Sequence, residues 1–277
     1  MPPVLSRIAE GDRPILLLPA LSSISTREEM LPLASELGAT FVTEVVDWPG
    51  FGIGARPVTN WTPDILSDFL RDSVDRLNPK AIIAAGHSAA YAVHLLSTVP
   101  NQVDCLILTA PTWRGPLPTM MGGHKPWFSR IVAALDSPFV GQALYRLNVS
   151  RWVIRRMARE HVYSDPAWLN GARFQSKIAV TKGKGARHSS VRFVTGRLDR
   201  YTDGGQFLDD LARVKCPILV LYGDNTPRRS RAKMDGMALL PNVTAKVLKR
   251  GKLAIHEEFA PEIASEIMQF LRVGKPT

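Results

Sequence analysis

Short apolar runs alternate with amphipathic helical patterns along most of this 277-residue chain, and that alternation constrains its fold more than any other feature. Runs at 15–18, 41–46, 81–85, 105–110, 218–222 and 244–248 read as short strands, and an apolar run such as 81–85 is what a strand buried on both faces requires. Helical patterns separate them. Ser25-Thr26-Arg27-Glu28 is a capping box that opens a helix running to about Gly38. Thr62-Pro63 supplies an N-cap and a proline at the first helical position, and Ile65, Leu66, Phe69, Leu70, Val74 and Leu77 mark one face of the helix that follows. Further helices are expected at 206–214, 228–240 and 258–273, the last with Ile263, Ile267, Phe270 and Leu271 turned inward. Strands alternating with helices imply an α/β fold: a mostly parallel central sheet flanked by helices, with ligands outside the carboxyl ends of the strands.

The alternation fails at 112–205. This stretch carries Trp113, Trp127, Trp152 and Trp168 among many arginines, reads as mainly helical and lies between two core strands. The expected organisation is therefore a core from 1–111 and 206–277 with a helical basic cap at 112–205. The charge follows the same division: 112–205 holds 16 Lys/Arg against 5 Asp/Glu, a net of +11, and the remainder 19 against 20, a net of −1. Arg151, Arg155, Arg156 and Arg159 fall at helical spacing opposite Trp152, Ile154, Met157 and Ala158. Two readings stay open for that helix. It packs its apolar side on the core with a solvated basic side, or it lies as a basic amphipathic helix on an anionic membrane. With the basic loop Lys182-Gly183-Lys184-Gly185-Ala186-Arg187, it suits a substrate carboxylate, a phosphate, a lipid headgroup or an acidic protein partner. No nucleic-acid-binding motif accompanies the charge, so a nucleic-acid partner is not expected.

Hydrophobic content of 45% and charged content of 22% are ordinary for a soluble globular protein. No apolar run approaches the roughly 20 residues of a membrane span. The opening Met1-Pro2-Pro3-Val4-Leu5-Ser6-Arg7 has no signal-peptide apolar region, and a cytoplasmic location is expected. Cys105 and Cys216 lie beside strands and read as buried thiols; no metal site and no cofactor is expected.

Within this frame, Gly86-His87-Ser88-Ala89-Ala90 sits between the strand at 81–85 and a helical run beginning at Tyr91. A strand, a tight turn with a central serine and a helix are the context of a nucleophile elbow, which holds its serine on a strained turn at the sheet's carboxyl edge. Taken alone, the string also fits an N-cap serine opening a helix. The fifth position is Ala90, where the elbow pattern has Gly.

Four strings together resemble the α/β-hydrolase superfamily, particularly its capped members of the haloalkane dehalogenase, epoxide hydrolase and esterase type. They are Leu17-Leu18-Pro19-Ala20, Asp47-Trp48-Pro49-Gly50-Phe51-Gly52, the elbow, and Ile218-Leu219-Val220-Leu221-Tyr222-Gly223-Asp224. Ala110-Pro111-Thr112-Trp113-Arg114-Gly115-Pro116 and His256-Glu257-Glu258-Phe259 are similar to a bacterial and plastid-type subgroup with no assigned reaction. The resemblance implies an α/β-hydrolase fold, with the family's first hairpin reduced because the first strong strand begins so early. It implies Ser88 as nucleophile, with the N–H groups of Ala89 and Leu21 as the oxyanion hole, although Pro19-Ala20 stands where the family has His-Gly. The acid is expected three residues after Gly223, at Thr226, so the nearby Asp224 is the candidate, its other reading a solvated or capping Asp. The base is expected at Leu253, so His256, the last histidine in the chain, is the candidate, its other reading a helix-start His paired with Glu257 or Glu258. His124, His161 and His188 read as surface or partly buried histidines able to face a cleft, and His87 as a packing residue beside the elbow.

These assignments give a serine hydrolase of a carboxylic ester or thioester with an apolar moiety, whose acyl pocket Trp113 and Trp127 would line. The substrate would be a small apolar ester or an anionic molecule. Two alternatives follow from the displaced acid and base. One is a binding or assembly protein that kept the fold and lost the triad; the other is a lyase or cyclase on the same scaffold.

Overall fold

A computed structural model describes residues 13–54 and 56–273. The expectations about a leader and a first hairpin fall on the opening residues and lie outside the described ones. Six parallel strands, β1 (Ile15–Leu18), β2 (Thr43–Val45), β3 (Ala81–Ala85), β4 (Cys105–Thr109), β5 (Ile218–Gly223) and β6 (Val243–Leu248), form one sheet in the order β2-β1-β3-β4-β5-β6. β1, β3, β4 and β5 are buried throughout, as their unbroken apolar runs require. The order reverses between β1 and β3, where Leu18 aligns with Ala84. That reversal brings the loop at Pro19 beside the turn at Gly86 and Ser88, the crevice where sheets of this kind bind ligands.

The helices of the core are α1 (Leu31–Leu37), α2 (Pro63–Leu77) and α3 (Ser88–Thr98) before the fourth strand. Thr62 caps α2, accepting from the Ile65 N–H at 3.5 Å, and Leu66, Leu70 and Val74 are buried while Ile65 is exposed. Two expected elements are shorter than the sequence suggested. The second strand spans only 43–45, because its partner β1 has four residues and stops at Pro19, which has no N–H to extend the ladder. The first helix begins with a separate 3₁₀ turn, Arg27–Met30, capped by Thr26 rather than Ser25, whose hydroxyl pairs with Ser22 instead.

Between β4 and β5 the described residues contain helices but no strand: α4 (Pro116–Met120), α5 (Phe128–Asp136), α6 (Pro138–Asn148), α7 (Arg151–Met157), α8 (Gly171–Thr181), α9 (Ala186–Val194) and α10 (Gly204–Arg213). Part of this segment has its own apolar cluster, including Tyr145, Ile154, Tyr163, Leu169, Phe174 and Ile178. The chain closes with α11 (Arg228–Met237), α12 (Ile255–Glu258) and α13 (Ala260–Val273). A separate short α12 precedes the final helix expected from 258, which starts at Ala260 as α13 with Pro261 in its first turn, where proline is tolerated. Ile263 and Ile267 are buried on its inner face, and Phe270 and Leu271 pack half-buried against the core. Cys105 is buried, Cys216 half-buried and both are free; burial pushes the Cys105 thiol up to about 12. Among the described residues no helix is long and apolar enough to cross a membrane.

Candidate active site

Gly86 makes the turn after β3. Its φ is +53°, and a Cβ there would meet the Ala20 Cβ at 3.1 Å, so the close approach of the two loops depends on glycine. The strain stays at Gly86: among the described residues the non-glycine positions of positive φ are Asn78, Asn101 and Ala110, and Ser88 is not one of them. Ser88 is the first residue of α3, with His87 in the cap position. A presenting elbow puts its serine on the strained turn with the hydroxyl exposed. Here the serine is relaxed into the helix and fully enclosed.

The hydroxyl of Ser88 is bonded on two sides. It donates to the carbonyl of Pro19, and it accepts from the indole N–H of Trp48 at 2.8 Å, which also reaches the Pro19 carbonyl at 3.0 Å. The other half of the same peptide, the Ala20 N–H, donates to Glu29 at 2.7 Å. Beyond Glu29 lies the His256 imidazole, with Nε2 3.7 Å from the carboxylate. The Pro19–Ala20 peptide and the Glu29 carboxylate therefore stand in a chain of contacts between Ser88 and His256. No hydrogen bond joins the two among the described residues, and neither ring nitrogen of His256 has a hydrogen-bond partner.

Of the remaining sequence candidates, Asp224 lies on the surface, paired with Arg231 at 2.6 Å, and makes no contact with His256. The carboxylate that faces His256 is Glu29. The Ala89 N–H is engaged by the Gly86 carbonyl at 3.3 Å, and the Leu21 side chain is buried in the main core. Trp113 is buried, stacked on Phe207 with ring centres 4.6 Å apart, while Trp127 is half-exposed against Phe128. Thr226 and Leu253, at the positions where the resemblance implies the acid and base, carry neither a carboxyl nor an imidazole. Sequence reasoning missed Glu29 and Trp48. Trp48 sits inside a quoted motif, but nothing in the motif says which way its N–H points.

Two buried polar clusters flank the turn. In the first, Lys177 of α8 reaches Glu29 at 3.2 Å and Glu257 at 3.3 Å, and Tyr163 donates to Glu257 at 2.7 Å. Burial alone would push the Glu29 carboxyl up, but Lys177 and the facing His256 outweigh it and hold the group at about 2. Burial likewise opposes the Lys177 charge, and Glu29 and Glu257 more than restore it, so its ammonium titrates above the usual lysine range.

In the second cluster, Asp199 is fully enclosed. One oxygen accepts from the Gly115 N–H at 2.7 Å and lies 3.4 Å from His87 Nε2; the other lies 3.0 Å from His124 Nε2. Burial pushes His87 down and favours its neutral form, with Asp199 opposing. Lys233 lies over the Trp113 ring at 4.7 Å, and burial, helped by Arg114, brings its ammonium down to about 8.

This second cluster opens onto a cavity of about 580 Å³ between the helical segment and the start of α2. Asp199 and His124 line it, with Trp61, Thr62, Ser129 and Arg197. Asp136 and Arg192, also on its wall, are spent on each other at 2.8 Å, and His188 shares the same carboxylate at 3.0 Å. The Arg197 guanidinium makes no hydrogen bond or ion pair with the described residues, and the residue is exposed.

The sheet order, the helices on both faces and the crevice between β1 and β3 define an α/β hydrolase. The chain belongs to the alpha/beta hydrolase family, whose model matches residues 15–265. No curated protein matches it. Among solved structures, an esterase from Thermogutta terrifontis with malate bound is 18% identical, covering 95% of this chain and 90% of its own, with a TM-score of 0.71. The enol-lactonase from Burkholderia xenovorans LB400 is 17% identical over 96% and 94%, with a TM-score of 0.68. A bromoperoxidase from Bacillus anthracis is 14% identical over 94% and 92%, with a TM-score of 0.67. Three differently named enzymes on one fold make the likeness one of architecture, and the chemistry has to be argued from the residues.

Proposed function

We propose that this chain is an acid–base enzyme on a hydrolase scaffold, capped by the helices at 112–205, and that it takes a small organic anion into the 580 Å³ cavity. His124 moves the proton and Asp199, with one oxygen 3.0 Å from Nε2, offsets the imidazole's charge; Ser88 forms no acyl-enzyme. The observation that carries this reading is a contrast in access. The Ser88 hydroxyl is enclosed and committed to the Pro19 carbonyl, whereas His124, backed by a buried carboxyl at 3.0 Å, opens on the cavity.

With Nε2 turned to Asp199, a neutral His124 keeps its Nδ1 lone pair free to accept a proton, and Asp199 offsets the charge that develops. Arg197 is the group on that wall with charge to spare, which selects a ligand bearing a carboxylate or similar anion. Malate, bound in the Thermogutta esterase structure, is a fitting probe. Calorimetric titration should give malate binding that weakens about tenfold in His124→Ala and in Arg197→Ala and is unchanged in Ser88→Ala. Binding unaffected by both cavity substitutions contradicts the reading.

The second reading is a serine ester hydrolase acting through Ser88 and His256. It is favoured by the strand–turn–helix setting of Ser88, whose place at the start of α3 directs helix N–H groups toward developing negative charge. It requires the Pro19–Ala20 peptide and Glu29 to leave the path between the two residues. Turnover of a p-nitrophenyl ester that disappears in both Ser88→Ala and His256→Ala would establish it.

A further inference from the structure

One surface of the helical segment has no place in either reading. α6 exposes Phe139 (88%), Val140 (59%), Leu144 (44%) and Leu147 (67%). At about 100° per residue these four fall within an arc of roughly 140° on one side of the helix. The opposite side is the one that packs: Gly141 and Tyr145 are buried, and Tyr145 donates to the Thr181 carbonyl at 3.0 Å. Two residues beyond α6, α7 buries Ile154 and leaves Trp152 exposed at 67%. Scattered apolar residues on a surface need no explanation, but four on one helix face with a tryptophan on the next helix do.

The charge along this face is predominantly positive. Residues 137–159 contain five arginines, Arg146, Arg151, Arg155, Arg156 and Arg159, and no acidic residue. All five are exposed. The Arg151 and Arg155 guanidiniums lie over the Phe174 ring at 5.0 and 4.3 Å. Among the described residues, Arg156 alone of the five is offset by an acid, Glu160 at 2.9 Å.

We propose that α6 and the start of α7 form a docking face for an anionic lipid bilayer, with Phe139, Val140, Leu144, Leu147 and Trp152 entering the interface and the arginines meeting lipid phosphates. Charge complementarity selects this occupant. A second copy of the chain would bring the same five arginines against these, and like charges across an interface repel. The apolar side chains stand out from the surface, Phe139 most of all, and a fluid apolar layer under a sheet of negative charge accepts protruding side chains without a matched pocket. The inference is independent of the chemistry in the cavity.

Sedimentation with vesicles tests it, using the full chain. Binding is expected to phosphatidylcholine vesicles that contain phosphatidylglycerol and not to phosphatidylcholine alone. The pair Phe139→Asp and Leu147→Asp should lower the partition by more than about tenfold, since each removes an inserted apolar side chain. Arg151→Glu with Arg155→Glu should weaken it and flatten its dependence on salt. All four positions are exposed, and an unchanged circular dichroism spectrum confirms that each variant folds. Equal binding to both vesicle types, no binding to either, or a partition indifferent to Phe139 and Leu147 would overturn the proposal. So would a dimer of the wild type that Phe139→Asp dissolves, or retention on polyglutamate that survives loss of Phe139 and Leu147.

Discussion

The two buried polar clusters beside the turn are built from similar parts and differ in how completely their lysine and carboxylates are paired, although the His256 ring beside Glu29 has no hydrogen-bond partner among the described residues. In the cluster of Lys177, Glu29 and Glu257, one ammonium is shared by two carboxylates, and Glu29 and Glu257 take further bonds from the Ala20 N–H and the Tyr163 hydroxyl. It lies among packed side chains and ties the helical segment to the core. In the cluster of Asp199, His87, His124 and Lys233, among the described residues the Lys233 ammonium has no hydrogen-bond partner, and the Asp199 oxygen facing His124 has none with good geometry despite the 3.0 Å approach. This cluster opens on a cavity. Satisfied charge in a sealed place holds a fold together, and under-satisfied charge at a cavity wall is available to a ligand.

Breaking the first cluster should have the largest effect. Lys177→Ala leaves two carboxylates buried without their cation, and urea unfolding should show a loss of about 3–5 kcal/mol. Adding Glu29→Gln should recover part of that loss, as coupled partners do. The same cluster sets the acid limit. Glu29 titrates at about 2 in the folded chain against an ordinary 4.5. Its contribution is therefore complete above about pH 4.5 and disappears as the pH falls toward 2, a loss of about 3 kcal/mol for this group. Thermal melts across that range should show the decline, and Glu29→Gln should flatten it.

Smaller effects sharpen the contrast at the serine and in the second cluster. Ser88→Ala removes one donor and one acceptor from an enclosed site, yet Trp48 keeps its bond to the Pro19 carbonyl. The expected cost is about 1–2 kcal/mol in urea unfolding, the size of one lost buried hydrogen-bonding group. Lys233→Met should move stability the other way. Its ammonium, brought down to about 8 from 10.5, is held charged at pH 7 against its burial. After allowance for solvent screening, the variant should gain about 1 kcal/mol at pH 7 and lose that advantage as the pH rises from about 8 to 10.5.

Most of the fold was legible because it rests on short-range signals. The apolar runs at 81–85 and 105–109, the Thr62-Pro63 start and the helical character of 112–205 each appear where local pattern puts them. Errors arose where a neighbour decides. The second strand is cut short by the length of β1, and the first helix opens with a separate 3₁₀ turn capped by Thr26. The site was legible only in part. Gly86-His87-Ser88 gave the turn, but the direction of the Ser88 hydroxyl depends on Pro19 and Trp48, which are 69 and 40 residues away in sequence. The pairing of Lys177 with Glu29 spans 148 residues, and that of Asp199 with His124 joins two loops with no shared motif. Contacts of that range leave no periodicity to read.

The central claim is that Ser88 is a joint of the fold and not a nucleophile. Intact-mass analysis after incubation with a fluorophosphonate, followed by peptide mapping, tests it most directly, because that reagent needs an accessible and activated serine hydroxyl. The enclosed, carbonyl-bonded Ser88 predicts no adduct on the folded chain, with Ser88→Ala indistinguishable from the wild type. A stoichiometric adduct that maps to Ser88 and is lost in His256→Ala would contradict it.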